Sequence, residues 1–176
     1  ISLDASSSNS LKGDRWAISA PDVDFSGRWQ LIISDEFKKE YDKYLERLGQ
    51  PKIVRSIALS SPVLGQTKEE MVQTDHGRSL LIRGKNVRGT WDRTLVASGS
   101  SSDDSRDICE GDDFTPLKVP IMTIDSEQVE AESWWEDQGR VHISYLRGVA
   151  MYGGGSFVSR RYLVDNEKKN KLCCGN

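Results

Sequence analysis

Phe25-Ser26-Gly27-Arg28-Trp29-Gln30-Leu31-Ile32-Ile33-Ser34 runs straight into Asp35-Glu36-Phe37-Lys38-Lys39-Glu40-Tyr41 and on to Gly49. Trp29, Leu31 and Ile33 recur at period two, so they share one face of a strand. Gly27 lets the backbone bend or approach a neighbour closely at the strand start. Ser34 suits a helix N-cap, and Asp35 and Glu36 suit the positive end of the helix behind it. Phe37, Tyr41, Tyr44, Leu45 and Leu48 then fall on one apolar stripe, with Lys38, Lys39, Glu40, Asp42, Lys43, Glu46 and Arg47 around the rest. Gly49 and Pro51 stop the helix. This stretch decides the fold class, because the chain beyond Pro51 reads as strand after strand. The expectation is a mostly β chain, an antiparallel up-and-down barrel with one lid helix after the first strand. The plain alternative for the helix is an ordinary amphipathic helix lying on a sheet.

Downstream, Lys52-Ile53-Val54-Arg55-Ser56-Ile57-Ala58-Leu59 is rich in β-formers and reads as a strand. A hairpin comes next, across Asp75-His76-Gly77. The next strand places Val87, Gly89, Trp91, Arg93 and Leu95 on one face. Val119, Ile121 and Thr123 alternate next, with Pro120 marking an edge or bulge. Val129, Ala131, Ser133 and Trp135 share a face, and Glu136-Asp137-Gln138-Gly139 turns into a strand with Val141, Ile143 and Tyr145 on one side. Ser156 to Val164 is the last strand. That gives about nine strands and no further helix, which favours a barrel over a parallel α/β sheet. The barrel spans 25–165, with an extended arm at 1–24 and a tail at 166–176.

Between the strands, 97–116 is an acidic insertion carrying Asp103, Asp104, Asp107, Glu110, Asp112 and Asp113. Its spacing does not match a calcium loop, so a solvated or partner-facing segment is the better reading and no metal site is expected. The chain has 176 residues and a net charge of −3, which argues against general nucleic-acid binding. No apolar run reaches the length of a transmembrane segment. Cys109 sits in the acidic insertion and Cys173 and Cys174 are neighbours in the tail, so the three make no secreted disulfide framework. The first residue is Ile1, and Ser6, Ser7, Ser8 and Ser10 would suit the region behind an organelle transit peptide. An intracellular or organellar setting is expected, the plastid first.

Gly27-Arg28-Trp29, the helix at 35–49 and Arg160-Arg161-Tyr162 on the last strand together resemble the calycin group, the lipocalins and intracellular fatty-acid-binding proteins. The plastid lipid-associated (fibrillin) proteins also open on a Gly-x-Trp strand. The resemblance covers about 25–165 and implies a barrel that carries a lipid, fatty acid or pigment. It also implies that Arg160 and Tyr162 hold a ligand carboxylate. The sequence departs from the fatty-acid-binding proteins in two ways. They have two short lid helices, and they add a second ligand arginine from an earlier strand. The best candidate for that strand bears Glu130 and Glu132 and has no arginine.

Arg160 and Tyr162 lie two apart and share a face. If that face is the interior, the buried guanidinium needs an anion or an acid. If it is the exterior, Phe157, Ser159, Arg161 and Leu163 face inward instead. Trp29, Trp91 and Trp135 either line a ligand cavity or fill the core. His76 and His142 are too separate for a metal pair or catalytic dyad. With no nucleophile–base arrangement and no cofactor motif, an isomerase-like activity is the weakest reading. The leading expectation is non-enzymatic binding of a hydrophobic small molecule. The alternative is an accessory structural subunit of a larger organelle complex, such as a photosynthetic one, with 1–24, 97–116 and 166–176 meeting the protein partner.

Overall fold

The computed structural model describes residues 15–47, 49–60, 64–87, 89–99, 116–123, 128–149, 155–164 and 171–175. Residues 1–14 of the expected arm at 1–24, most of the acidic insertion with Cys109, and Leu48 of the expected lid helix lie outside the described residues.

The opening stretch forms β1 (Gly27–Gln30) and α1 (Asp35–Arg47). The Phe37 N–H donates to the Ser34 hydroxyl at 3.1 Å, the capping bond its position requires. Gly49 ends the region at φ +72°. A second helix, α2 (Lys52–Ala58), stands where the β-rich composition suggests a strand. Pro51 is pre-set for a helix start. Arg55 reaches back to Glu46 at 2.7 Å and Asp42 at 3.4 Å on α1, a contact that holds α2 against the first helix. Among the described residues, two helices therefore follow β1 where one is expected.

The remaining strands are β2 (Lys68–Thr74), β3 (Ser79–Asn86), β4 (Gly89–Val96), β5 (Lys118–Met122), β6 (Gln128–Glu136), β7 (Val141–Val149), β8 (Gly155–Val164) and β9 (Lys171–Gly175). They pair with β1 as two antiparallel sheets, β1-β2-β3-β4 and β5-β6-β7-β8-β9. The nine strands among the described residues include β9, which the sequence pattern places in the tail, while Lys52–Ala58 drops out as helix. Among the described residues no strand ladder joins the sheets. A single parallel bridge links Ala97 to Ser133. Among the described residues the expected up-and-down barrel does not close, and its strands form two antiparallel sheets that share one core. A tight hairpin would force β4 and β5 to pair, and the acidic insertion between them does not. Pro120 sits on β5, the edge strand of its sheet, where a missing N–H is tolerated.

One end of this core is densely packed. Phe25, Leu80, Leu95, Ala97 and Trp135 are buried there, and the Phe25 and Trp135 rings lie 5.3 Å apart. Both hairpin turns at this end carry left-handed residues, Asp75 and His76 in one, Asp137 and Gln138 in the other. Residues 16–20 cross between them. Trp16 and Trp135 exchange two backbone hydrogen bonds at 2.8 Å, Ser19 N–H donates to His76 and Ala20 N–H to Gly139. A Cβ on Gly139 would collide with the Ser19–Ala20 backbone, so only glycine admits the strap so closely. Outside β6, Arg15 lies 3.8 Å above the Trp134 ring and pairs with Glu132 at 2.7 Å.

Candidate functional site

The two inner faces differ in chemistry. Met71, Leu80, Ile82 and Leu95 make the first sheet's face largely apolar. On the second sheet the register sets residues in three cross-strand rows. Ala131, Leu146 and Phe157 form the first, Ser133, Ser144 and Ser159 the second, and Trp135, His142 and Arg161 the third. Successive rows on one face are two residues apart, about 7 Å. The third row lies at the packed end, because Trp135 donates its indole N–H to Gly77 O at 2.9 Å. The first row lies under the helices, where Tyr44 of α1 meets Phe157 edge-on at 6.4 Å. Along the interior, apolar side chains therefore give way to hydroxyls and then to a cation.

Arg161 is buried, and its Nη1 donates to the Ser144 hydroxyl at 3.0 Å. From the opposite sheet comes Arg93, level with Ile82 and Met71. Its guanidinium lies 5.7 Å from the Trp91 ring, which itself rests on Gly84, where any Cβ would overlap the indole. Burial pulls the Arg93 guanidinium below its usual range. Repulsion from Arg161 adds to this, and Glu69 opposes it. Neither arginine forms an ion pair among the described residues, and the Nε of each has no hydrogen-bond partner. The Trp91 indole N–H is likewise unpartnered. His142 is fully buried, with its ring edge-on to Trp135 at 5.0 Å. Burial, then Arg161, holds its pKa well below 6.5, so it is neutral. A buried and a half-buried guanidinium that repel each other, with no carboxylate paired to either among the described residues, are costly unless an anion joins them.

The residues singled out from the sequence divide unevenly. Arg160 and Tyr162 do not point inward. Tyr162 is 39% exposed, and Arg160 pairs with Glu136 at 2.9 Å on the outer face. The neighbouring position, Arg161, is the interior arginine. A second interior arginine is present after all, on β4 and not on the strand of Glu130 and Glu132. Trp135 is core. Trp29 is half-buried and donates to Phe25 O at 2.9 Å, while Trp91 borders the arginines. Phe37, Tyr41, Tyr44 and Leu45 are half-buried on α1, which has no fully buried residue. His76 is exposed in its turn. Among the described residues no cluster could hold a metal ion, and no helix is long and apolar enough to cross a membrane.

Hydrophobic alternation misassigns β7. Val141, Ile143 and Tyr145 have the composition of a core face, yet His142, Ser144 and Leu146 face inward. The usable signal is on β4, where Arg93 shares a face with Trp91 and Leu95. An arginine amid apolar inward positions is the mark of a buried cation.

No family model matches the chain, and no curated protein matches it. Among solved structures it is similar to the REP1-NXSQ fatty acid transporter, at 15% identity and TM-score 0.49 over 85% of each chain. It is also similar to fatty-acid-binding protein 1 of Echinococcus granulosus, at 18% identity and TM-score 0.45, covering 86% of this chain and 87% of that one. A third is the fatty-acid-binding protein of Drosophila melanogaster brain tissue, at 15% identity and TM-score 0.43, covering 87% and 93%.

Proposed function

We propose that this protein binds, without catalysis, a hydrophobic small molecule bearing one anionic head, and that the head lies between Arg93 and Arg161. The carrying observation is a buried guanidinium, Arg161, and a half-buried one, Arg93, on opposite sheets, which repel each other and whose Nε atoms have no hydrogen-bond partner among the described residues. A carboxylate offers four lone-pair sites to such donors and removes their mutual repulsion. With Glu69 nearby, the cluster carries a net charge that one monoanion neutralises. The apolar tail would run past Ala131, Leu146 and Phe157 toward the helices. Trp91 would border the head, and Phe37, Tyr41 and Tyr44 would cover the entrance. The ligand class is a fatty acid or a similar amphiphilic carboxylate.

The accessory-subunit alternative loses part of its motive at residues 15–20, which are bound to the protein's own turns and strands. The test is displacement of a fluorescent amphiphile by hexadecanoate and by hexadecanol. Hexadecanoate should compete and hexadecanol should compete poorly. Arg161→Gln and Arg93→Gln should each weaken hexadecanoate by tenfold or more, the scale of a lost charge-assisted bond. Equal competition by acid and alcohol, unchanged in both variants, would remove the arginine site.

A further inference from the structure

The arginines answer an acceptor, but the same interior face also holds acceptors of its own. Ser133, Ser144 and Ser159 stand in register across β6, β7 and β8 and are all buried. Ser144 takes its hydrogen bond from Arg161. Among the described residues Ser133, at 1% exposure, has no partner for its hydroxyl, and both ring nitrogens of the fully buried His142 are unpartnered too. A neutral imidazole always presents one nitrogen lone pair, and a serine oxygen presents two. A carboxylate can accept from the serine O–H and the imidazole N–H but leaves these lone pairs unmet, because it only accepts. Leaving such groups unmatched carries the cost of their desolvation. The group that matches both a donor and an acceptor is a hydroxyl.

We propose that the ligand carries a hydroxyl close to its carboxylate, and that Ser133 and His142 receive that hydroxyl while Arg161 and Arg93 hold the acid. This rests on the anion-carrier reading above and narrows it to hydroxylated amphiphilic carboxylates. The spacing supports a short separation. Arg161 already reaches Ser144, and Ser133 is the cross-strand neighbour of Ser144, about 5 Å away at the Cβ atoms. A hydroxyl two carbons from the carboxylate spans that step. One at the far end of the chain would lie under the helices, beside Phe157 and Leu146.

Three probes separate the possibilities: hexadecanoate, 3-hydroxyhexadecanoate and 16-hydroxyhexadecanoate, each titrated calorimetrically into the full chain. The wild type should bind the 3-hydroxy acid about tenfold more tightly than hexadecanoate, and the 16-hydroxy acid no more tightly. Ser133→Ala should erase the 3-hydroxy preference while keeping hexadecanoate affinity within about twofold, since the acid rests on the arginines. His142→Gln, which keeps a donor and an acceptor, should retain part of the preference. Equal binding of all three probes by the wild type would overturn the hydroxyl proposal, with a water molecule filling its place, and leave the carrier reading intact. A preference that survived Ser133→Ala would also overturn it. Failure of all three to bind would instead overturn the carrier reading.

Discussion

The two ends of the molecule are built on opposite terms. At the strapped end, Phe25, Leu80 and Trp135 have no exposed surface, and residues 16–20 tie both hairpin turns together through their backbone. The Gln73 side chain adds to this, accepting from Phe25 N–H at 3.0 Å and donating to Val23 O at 2.8 Å. At the helical end, neither α1 nor α2 buries a residue fully, and Phe37, Tyr41 and Tyr44 stack mainly on one another. Burial sets stability, so the molecule concentrates its stability at the strapped end. The helical end loses little when it moves. The proposed carrier function would use that asymmetry, since a ligand must pass one end without unfolding the other.

The strongest way to break the comparison is at Trp135. Trp135→Ala removes the largest fully buried side chain along with its indole bond to Gly77. The expected loss is about 3–5 kcal/mol, read as a fall in the urea midpoint. A loss below about 1 kcal/mol, the usual range of surface changes, would mean that the strapped end is not where stability lies.

A second test separates the polar interior from the strap. His142 is neutral in the folded state because burial and Arg161 hold its pKa well below 6.5. The unfolded chain takes up that proton near pH 6.5. Below that value the unfolded state binds one more proton than the folded state, so stability falls as pH falls. The slope from this group is about 1.4 kcal/mol per pH unit, continuing down to the depressed folded pKa. Above about pH 7.5 the contribution is complete. Urea unfolding across this range should show the decline, and His142→Gln should remove that part of the slope. An identical slope in the variant would place the titration elsewhere.

Much of this architecture is legible in the sequence. The Ser34 cap, the Gly49 stop and the turns at 75–77 and 136–139 rest on local chemistry, and local chemistry is what a sequence states directly. The second helix is hidden because Ile53, Val54 and Ile57 favour strand in isolation, while the ion pairs from Arg55 to α1 form only once the chain has turned back. The site is obscured for a related reason. Alternation shows which positions share a face, but the choice of inner face assumes that the interior is apolar. In β7 and β8 the interior holds His142, Ser144, Ser159 and Arg161. On the outer face Arg15 covers Trp134, and Ile143 is buried beside them. The rule therefore fails at the place where polar groups matter: it leaves the inner face of β8 open, and the Arg-x-Tyr resemblance points to Arg160 and Tyr162 where the structure buries Arg161. Functional interiors are where local rules and the fold are expected to disagree.

The smallest expected effect tests the helical end. Tyr44 reaches across to Phe157, an edge contact between α1 and the second sheet. Because Tyr44 stays half-buried and the aromatic pair is worth about 0.5–1.5 kcal/mol, Tyr44→Ala should change the unfolding free energy by about 1 kcal/mol or less. Its effect should emerge in kinetics instead. If opening of α1 limits exit, loosening this contact should speed release of a bound fluorescent amphiphile severalfold, while arginine contacts to the head keep the equilibrium affinity within about threefold. Stopped-flow dissociation and equilibrium titration of the same variant separate the two quantities. A variant with unchanged release but a large loss of stability would mean that α1 is a structural brace, and the contrast between the two ends would not hold. Faster release at nearly constant stability would identify the helical end as the door and the strapped end as the frame that lets it open.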